Sequence, residues 1–201
     1  RRTQPVILLI SAFGMGLILR SLVKMIWGSS VMTYPGEIQR PWFIWELTII
    51  PTQLWILLAV IGLVAALHLF LTQTRTGKAM RAMSDNMDLA LVTGIPAERV
   101  IVITWVIGGA LAAGAGVLLG MDSRLTPPMG WSVLLPVFAA AIVGGIGRPY
   151  GAIAGGMLIG LAMEISTLAP FLEPSYKPAV AFVIMVAVLI VRPHGIFKGA
   201  W

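Results

Sequence analysis

The sequence contains no cysteine, only two histidines and few charged residues. Without cysteine, disulfide bonds and thiolate metal sites are excluded. Charged residues make up 11% of the chain and hydrophobic residues 58%, and the mean hydropathy is +0.94. Such a chain has too little polar surface to cover a soluble fold of 201 residues. The composition therefore predicts a membrane protein.

Motifs for catalysis and nucleotide binding are also missing. No Gly-x-Ser-x-Gly sequence occurs, and the pair Gly77-Lys78 lacks the spacing and the following hydroxyl residue of a phosphate-binding loop. His68 and His194 lie far apart without patterned acidic companions, which argues against a metal site. The 14 basic residues exceed the 8 acidic ones, but they lie between apolar runs, where they orient a membrane protein. We therefore predict no metal, no cofactor, no enzymatic activity and no nucleic-acid partner.

Four apolar runs are long enough to cross a bilayer, since about 20 helical residues span its core. They are residues 5–26, 49–71, 99–120 and 150–168. Two shorter runs, 131–147 and 178–191, could be tilted, broken or re-entrant. The predicted fold class is an all-α, polytopic transmembrane protein with about six membrane segments, and residues 1–201 are assigned to a single transmembrane domain. Placing the loop 72–98 in the cytoplasm puts most basic residues inside, as the positive-inside rule favours.

The polar segment 74–98 is predicted to form two short helices. Apolar residues recur in it at helical intervals, namely Met80, Met83, Met87, Ala90 and Leu91. Residues that favour helix caps interrupt the pattern, so a second helix should begin near Asn86, and Gly94 should end it. The segment is either a solvated connection between two spans or a docking helix that lies in another protein's groove.

Small residues recur every four positions in two of the long runs. One series is Gly108, Ala112, Gly116 and Gly120, and the other is Ala152, Gly156, Gly160 and Glu164. Small residues at this interval let helix backbones approach closely, so both series are predicted to be helix-packing faces. Direct ligand contact is the alternative.

A glycine-rich break separates the runs 131–147 and 150–168. It contains Gly144, Gly145 and Gly147. Broken backbone at membrane depth is tolerated where protein buries it or where it lines a cavity. Glu164 is either a polar lining of a translocation path or a helix-end carboxylate at the outer interface.

The chain resembles the permease subunits of branched-chain amino-acid ABC importers, especially the leucine/isoleucine/valine type. The resemblance covers about residues 72–199 and rests on four stretches: GKAMRAMSDNMDLALVTGIPAERV, WVIGGALAAGAGVLLG, AAAIVGGIGRPYGAIAGGMLIGLAME and LIVRPHGIFKG. It implies that the loop 74–98 docks on the ATPase through Arg81, Ala82, Asp85, Ala90, Gly94 and Ile95. It also implies that Gly144, Gly145, Gly147 and Glu164 lie in the part of the membrane domain that forms the path. Since such permeases usually carry further N-terminal spans, the chain resembles a truncated permease.

The resemblance further implies an assembly in the bacterial inner membrane, where the chain is multi-pass and surrounded by lipid. The expected partners are a second permease subunit, ATP-binding subunits and a periplasmic substrate-binding protein. A transporter of the same build that carries urea, amides or other amino acids is an alternative. A passive channel, which needs no docking helix, and an intramembrane enzyme are the alternatives from other classes.

Overall fold

The computed structural model describes residues 5–34, 42–44, 47–168, 173–192 and 195–196. The chain forms two compact units, Arg1–Pro127 and Pro128–Trp201. The assignment of all 201 residues to a single transmembrane domain remains a prediction.

The first unit is built mainly of helices. In chain order its elements are α1 (Pro5–Trp27), β1 (Trp42–Ile44), β2 (Leu47–Ile49), α2 (Pro51–Gln73), α3 (Arg75–Asp85), α4 (Met87–Val92) and α5 (Ala97–Asp122). Proline opens α2, because a helix makes no use of the N–H group at its first position. The long helices α2 and α5 pack against each other, and α3 contacts α2, α4 and α5.

A short antiparallel hairpin precedes α2 and was not expected from the sequence. Its two strands pair Trp42 with Ile49 and Ile44 with Leu47. Each strand has three residues, which is too short for an alternating pattern to be recognised. The hairpin is a small exception to the predicted all-α fold.

The second unit consists of α6 (Met129–Ser132), α7 (Leu134–Gly144), α8 (Pro149–Ser166), a 3-10 turn (Pro174–Tyr176) and α9 (Lys177–Val191). The helices α7, α8 and α9 pack against one another. Their common core is formed by Ala139, Val143, Ile159 and Ala181. Two of these core residues are alanines, whose small side chains allow helix backbones to approach closely.

Among the described residues, four helical stretches are long and apolar enough to cross a membrane. They are Ile10–Trp27, Pro51–Gln73, Ala97–Asp122 and Pro174–Val191, and a shorter apolar stretch covers Met129–Gly144. Most of the large hydrophobic side chains on these helices are exposed, as expected where lipid replaces water. The predicted polytopic helical fold is confirmed, and the chain is a multi-pass membrane protein.

The structure lengthens one of the two short membrane segments relative to the prediction. The run 178–191 was expected to be shorter than a span, but the 3-10 turn and Lys177 extend it to 18 residues. The predicted long run 150–168 forms the 18-residue helix α8, and its assignment as a membrane span remains a prediction. Of the three alternatives for the run 131–147, the structure shows a break. It lies between α6 and α7, where Pro136 in the first turn of α7 cannot donate a backbone hydrogen bond to the preceding turn.

Candidate functional site

The polar loop of the first unit forms the two helices that the sequence predicted. Asn86 ends α3 and begins α4, and its Oδ1 accepts a hydrogen bond from the Leu89 N–H at 2.9 Å. The Asn86 N–H donates to the Ala82 carbonyl at 3.0 Å. One residue therefore satisfies groups at the ends of both helices, so that α3 and α4 meet at a defined bend.

The second helix of the loop, α4, ends in a Schellman motif. Gly94 has φ +83°, a conformation that glycine adopts without strain. Its N–H donates to the Leu91 carbonyl at 3.0 Å, and the Ile95 N–H donates to the Ala90 carbonyl at 3.1 Å. These two bonds satisfy carbonyls that the last turn of a helix leaves unpaired. The predicted helix stop at Gly94 is confirmed, and it fixes the end of α4.

The exposed side of α4 carries four apolar residues and the acidic Asp88. Leu89 is 63% exposed and Val92 is 86% exposed, whereas Ala90 is 4% exposed. Met87 and Leu91 are also exposed. Apolar side chains grouped on a polar loop mark a surface that binds another protein or a membrane. We call Met87, Leu89, Leu91 and Val92 the α4 apolar face.

The structure places the docking residues implied by the resemblance in different environments. Arg81, Ala82 and Asp85 are exposed on α3, Gly94 is exposed, and Ile95 is half-buried. Ala90 instead packs inward, so it supports α4 and does not form part of its outer surface. Leu89 and Val92 are the two most exposed residues of the α4 apolar face. They lie outside the predicted stripe, which follows the three- and four-residue intervals through Met87, Ala90 and Leu91.

In the second unit, the glycine-rich break follows the end of α7. Gly145 has φ +100° and Gly147 has φ +90°, so both sit where other residues would be strained. The Gly145 N–H is shared between the carbonyls of Ala141 and Ile142, at 3.1 Å each. The chain reverses here and enters α8 at Pro149.

The helices α7 and α8 touch through their backbones. A Cβ atom on Gly144 would collide with the Gly151 carbonyl and lie 2.8 Å from the Ala152 nitrogen. A Cβ on Gly155 would collide with the Ala140 carbonyl and lie 2.7 Å from the Gly144 nitrogen. Only glycine fits at these positions, since the neighbouring atoms are backbone and cannot rotate away.

The glycine series predicted from the sequence is not the one that packs within this unit. A Cβ atom added to Gly156 or Gly160 would have no atom within 4 Å, whereas Gly151 and Gly155 form the contact with α7. Both series have four-residue spacing and lie one position apart. The spacing alone therefore could not predict which series contacts α7. The packing role of Gly156 and Gly160 remains a prediction for neighbours outside the described residues.

The series in α5 is likewise mostly open. Gly108 and Gly116 have no atom within 4 Å of their Cβ positions, and Ala112 is exposed. Gly120 is buried, and a Cβ there would crowd the side chains of Leu125 and Tyr34. The contact of α5 with α2 runs instead past Gly114, whose Cβ position lies 3.5 Å from Leu63.

Residues near the C-terminus close the end of α7. The Ile196 N–H donates to the Val143 carbonyl at 2.9 Å, one of the carbonyls that the helix end leaves without a partner. Gly195 has φ +77°, and a Cβ on it would lie 2.7 Å from the Gly145 Cα. Ile196 packs on the core of the unit. This contact joins Gly195 and Ile196 to the glycine-rich break.

Replacing Gly195 with alanine is expected to destabilise the protein by about 1–3 kcal/mol, because the variant combines positive φ with a backbone collision. The loss should be measured as a lower thermal unfolding midpoint of the purified protein in detergent. Gly130→Ala is the control, since Gly130 has no atom within 4 Å of its Cβ position. Equal midpoints for the two variants would show that the contact does not stabilise the fold.

Glu164 lies near the end of α8 and forms an ion pair with Lys177 at the start of α9. The Lys177 Nζ donates to Glu164 Oε1 at 2.7 Å, and the Glu164 side chain is 71% exposed. This position favours the helix-end interpretation over the lining of a path. Such an exposed pair contributes at most about 1 kcal/mol.

Glu164→Gln is therefore expected to change the transport rate by less than about twofold, because the pair is exposed and weak. The measurement is the initial uptake rate of the complete importer in proteoliposomes. A drop of tenfold or more at unchanged expression would instead support a role of Glu164 in the path.

No group of three or more His, Asp or Glu residues that could hold a metal ion occurs among the described residues. His194, considered in the sequence analysis, lies outside them. Two features remain as functional candidates, the α4 apolar face and the glycine-rich break.

Comparison with known proteins identifies a family that the chain matches. Residues 3–189 match the family described as branched-chain amino acid transport system / permease component. The high-affinity branched-chain amino acid transport system permease protein LivH of Escherichia coli (strain K12) is 36% identical over 202 residues. The corresponding protein BraD of Pseudomonas aeruginosa is 34% identical over 194 residues, which are 94% of this chain and 62% of that protein.

The similarity extends more weakly to sugar permeases. The xylose transport system permease protein XylH of Haemophilus influenzae is 32% identical over 110 residues, which are 50% of this chain and 29% of that protein. The match to LivH covers 98% of this chain but 65% of LivH, so the chain spans less than two thirds of its relatives' length. No solved structure gives a significant match.

Proposed function

Because this chain belongs to the family of branched-chain amino acid transport system permease components, we propose that it is a permease subunit of an ATP-driven importer. Its substrates are branched-chain amino acids, and it acts in the bacterial inner membrane. The likeness to LivH and BraD, whose names specify branched-chain amino acid transport, supports this substrate class.

The α4 apolar face is the observation that carries the proposal. Leu89 and Val92 project from a helix that is fixed at both ends, by Asn86 and by Gly94. A short helix with exposed apolar anchors fits the groove of a partner protein. The partner is an ATP-binding subunit, since the chain has no nucleotide-binding motif of its own. The face then lies in the cytoplasm, in agreement with the distribution of basic residues.

The rest of the assembly follows from the same family. A second permease subunit completes the membrane domain, and the open glycines of α5 and α8 offer close-packing faces for it or for further spans. A periplasmic binding protein delivers the substrate. The glycine-rich break at Gly144–Gly147 contributes irregular backbone to the membrane domain, as at other transport paths. ATP hydrolysis takes place on the separate subunits.

Single introduced cysteines test the docking proposal cleanly, because the natural chain has none. Val92→Cys should cross-link to an ATP-binding subunit from the same genome in the assembled importer. Ser123→Cys is the control, since Ser123 is exposed at the opposite end of α5 and should not cross-link. Cross-linking at neither position, in a preparation that contains both proteins, would refute docking through α4.

Substrate choice is tested by uptake into proteoliposomes that contain the complete importer and its binding protein. We expect accumulation of labelled leucine, isoleucine and valine that requires ATP. Urea and xylose serve as comparison substrates, the latter because of the likeness to XylH. Uptake of either one in preference to leucine would overturn the proposed substrate class, and uptake without ATP would indicate a passive channel.

A further inference from the structure

The junction between α2 and α3 is made by a single residue, Thr74. Its backbone is extended, with φ −87° and ψ 150°, so the chain changes direction there. Its hydroxyl donates to the Phe70 carbonyl in α2 at 2.7 Å and accepts from the Gly77 N–H in α3 at 2.9 Å. Its own N–H also donates to Phe70, at 3.2 Å. One side chain therefore ties the last turn of α2 to the first turn of α3.

Gly77 brings the two backbones into direct contact at this junction. It is buried, and a Cβ on it would collide with the Phe70 carbonyl and lie 2.6 Å from the Leu71 Cα. Leu71 is itself 7% exposed. Contact between backbones leaves no side chain that could change its rotamer to absorb a movement. The angle between α2 and α3 is therefore fixed locally.

The other connection of the docking helices is built differently. Between α4 and α5, Gly94 takes a left-handed conformation, and its Cβ position has no atom within 4 Å. This turn is closed by hydrogen bonds within its own chain segment, from Gly94 and Ile95 to α4. It ends α4 without holding Gly94 against another helix, whereas Gly77 is held against α2.

We propose that Thr74 and Gly77 form a rigid elbow through which a displacement of the docking helices moves the membrane helix α2. The inference rests on the proposed function and adds the positioning residues that connect its docking surface to the membrane. Because α3 and α2 share backbone contact, they move as one body when α4 is displaced by the ATP-binding subunit. The elbow acts on coupling and not on docking itself, since neither residue belongs to the α4 apolar face.

Four variants of the complete importer in proteoliposomes test the elbow. Thr74→Val removes both hydroxyl bonds and keeps the shape of the side chain, while Thr74→Ser retains the hydroxyl. Gly77→Ala introduces the backbone collision, and Gly62→Ala is its control in α2, where nothing lies within 4 Å. Two quantities are measured. One is the amount of ATP-binding subunit that stays bound during purification, and the other is the amount of substrate moved per ATP hydrolysed.

We expect Thr74→Val and Gly77→Ala to retain the ATP-binding subunit but to move at least about fivefold less substrate per ATP, the lower range of coupling between distant sites. Thr74→Ser and Gly62→Ala should match the wild type. If Thr74→Val and Gly77→Ala moved as much substrate per ATP as the wild type, the proposal would be overturned. So would a loss of the bound subunit that accounts for the whole effect.

A distance measurement decides the rigidity of the elbow independently of any partner. Spin labels are attached to cysteines that replace Leu58 in α2 and Ala82 in α3, both of which are exposed. A narrow distance distribution in the wild type that broadens in Thr74→Val, but not in Thr74→Ser, is expected. A broad distribution in the wild type would overturn the elbow. A wild-type chain that binds no ATP-binding subunit would instead refute the proposed function.

Discussion

Gly155→Ala is expected to destabilise the second unit by about 3 kcal/mol, the upper part of the range for overpacking a core. The new methyl group would collide with the Ala140 carbonyl and lie 2.7 Å from the Gly144 nitrogen. Both are backbone atoms of α7, so relief requires the two helices to separate. Separation would open the core around Val143 and Ile159. The expected readout is a thermal unfolding midpoint lower by about 6 °C or more in detergent.

The neighbouring glycine provides a matched control. Gly156 lies in the same helix, one residue further on, and its Cβ position is open. Gly156→Ala should leave the unfolding midpoint unchanged or raise it slightly, because alanine favours helix more than glycine does. If Gly156→Ala proved the more harmful variant, the assignment of the α7 contact to Gly155 would be wrong, or a partner helix would occupy the other face.

Replacing both Leu89 and Val92 with asparagine is expected to weaken binding of the ATP-binding subunit by about 2 kcal/mol or more, roughly 30-fold, as for anchor residues at interfaces. Their side chains are 63% and 86% exposed, so the substitution removes little packing from the chain itself. Asparagine is uncharged and therefore adds no repulsion at the C-terminal end of α4. Affinity is measured between the purified permease in nanodiscs and the ATP-binding subunit.

Val92→Ile is the control for this interface. It keeps an apolar side chain at the same place. Its affinity for the ATP-binding subunit should lie within about twofold of the wild-type value, as is usual for conservative surface substitutions. Unchanged affinity of the double asparagine variant, at an unchanged unfolding midpoint, would exclude the α4 apolar face as the docking surface. A lowered midpoint would mean that Leu89 or Val92 supports the fold, contrary to their exposure.

The local structure of the docking loop could be predicted from the sequence. Asn86 favours a helix start because its side chain is short and can accept a hydrogen bond from the backbone. Gly94 favours a helix stop because it adopts positive φ without strain. Both effects act within a few residues along the chain, so no tertiary contact is needed to recognise them. The structure places a cap and a stop at these residues.

The surfaces of the site could not be predicted in the same way. Helical periodicity identified the stripe through Ala90, but the structure buries Ala90 and exposes Val92. Five of the six residues of α4 are apolar, and only the neighbouring helices decide which of them face inward. Gly155 and Gly156 show the same limit, since both belong to a four-residue series and only one meets α7.

By itself, the sequence determined that the chain is a multi-pass helical membrane protein, where its polar loop lies, and where the helices of that loop begin and end. These properties depend on composition, hydropathy and short-range hydrogen bonding, which are all local. Tertiary structure alone decided that Gly77 joins α3 to α2 and that Gly144, Gly151 and Gly155 join α7 to α8. A glycine forms a backbone contact only when another segment of the chain lies against it. The spacing of glycines within one helix does not determine which distant segment approaches that helix.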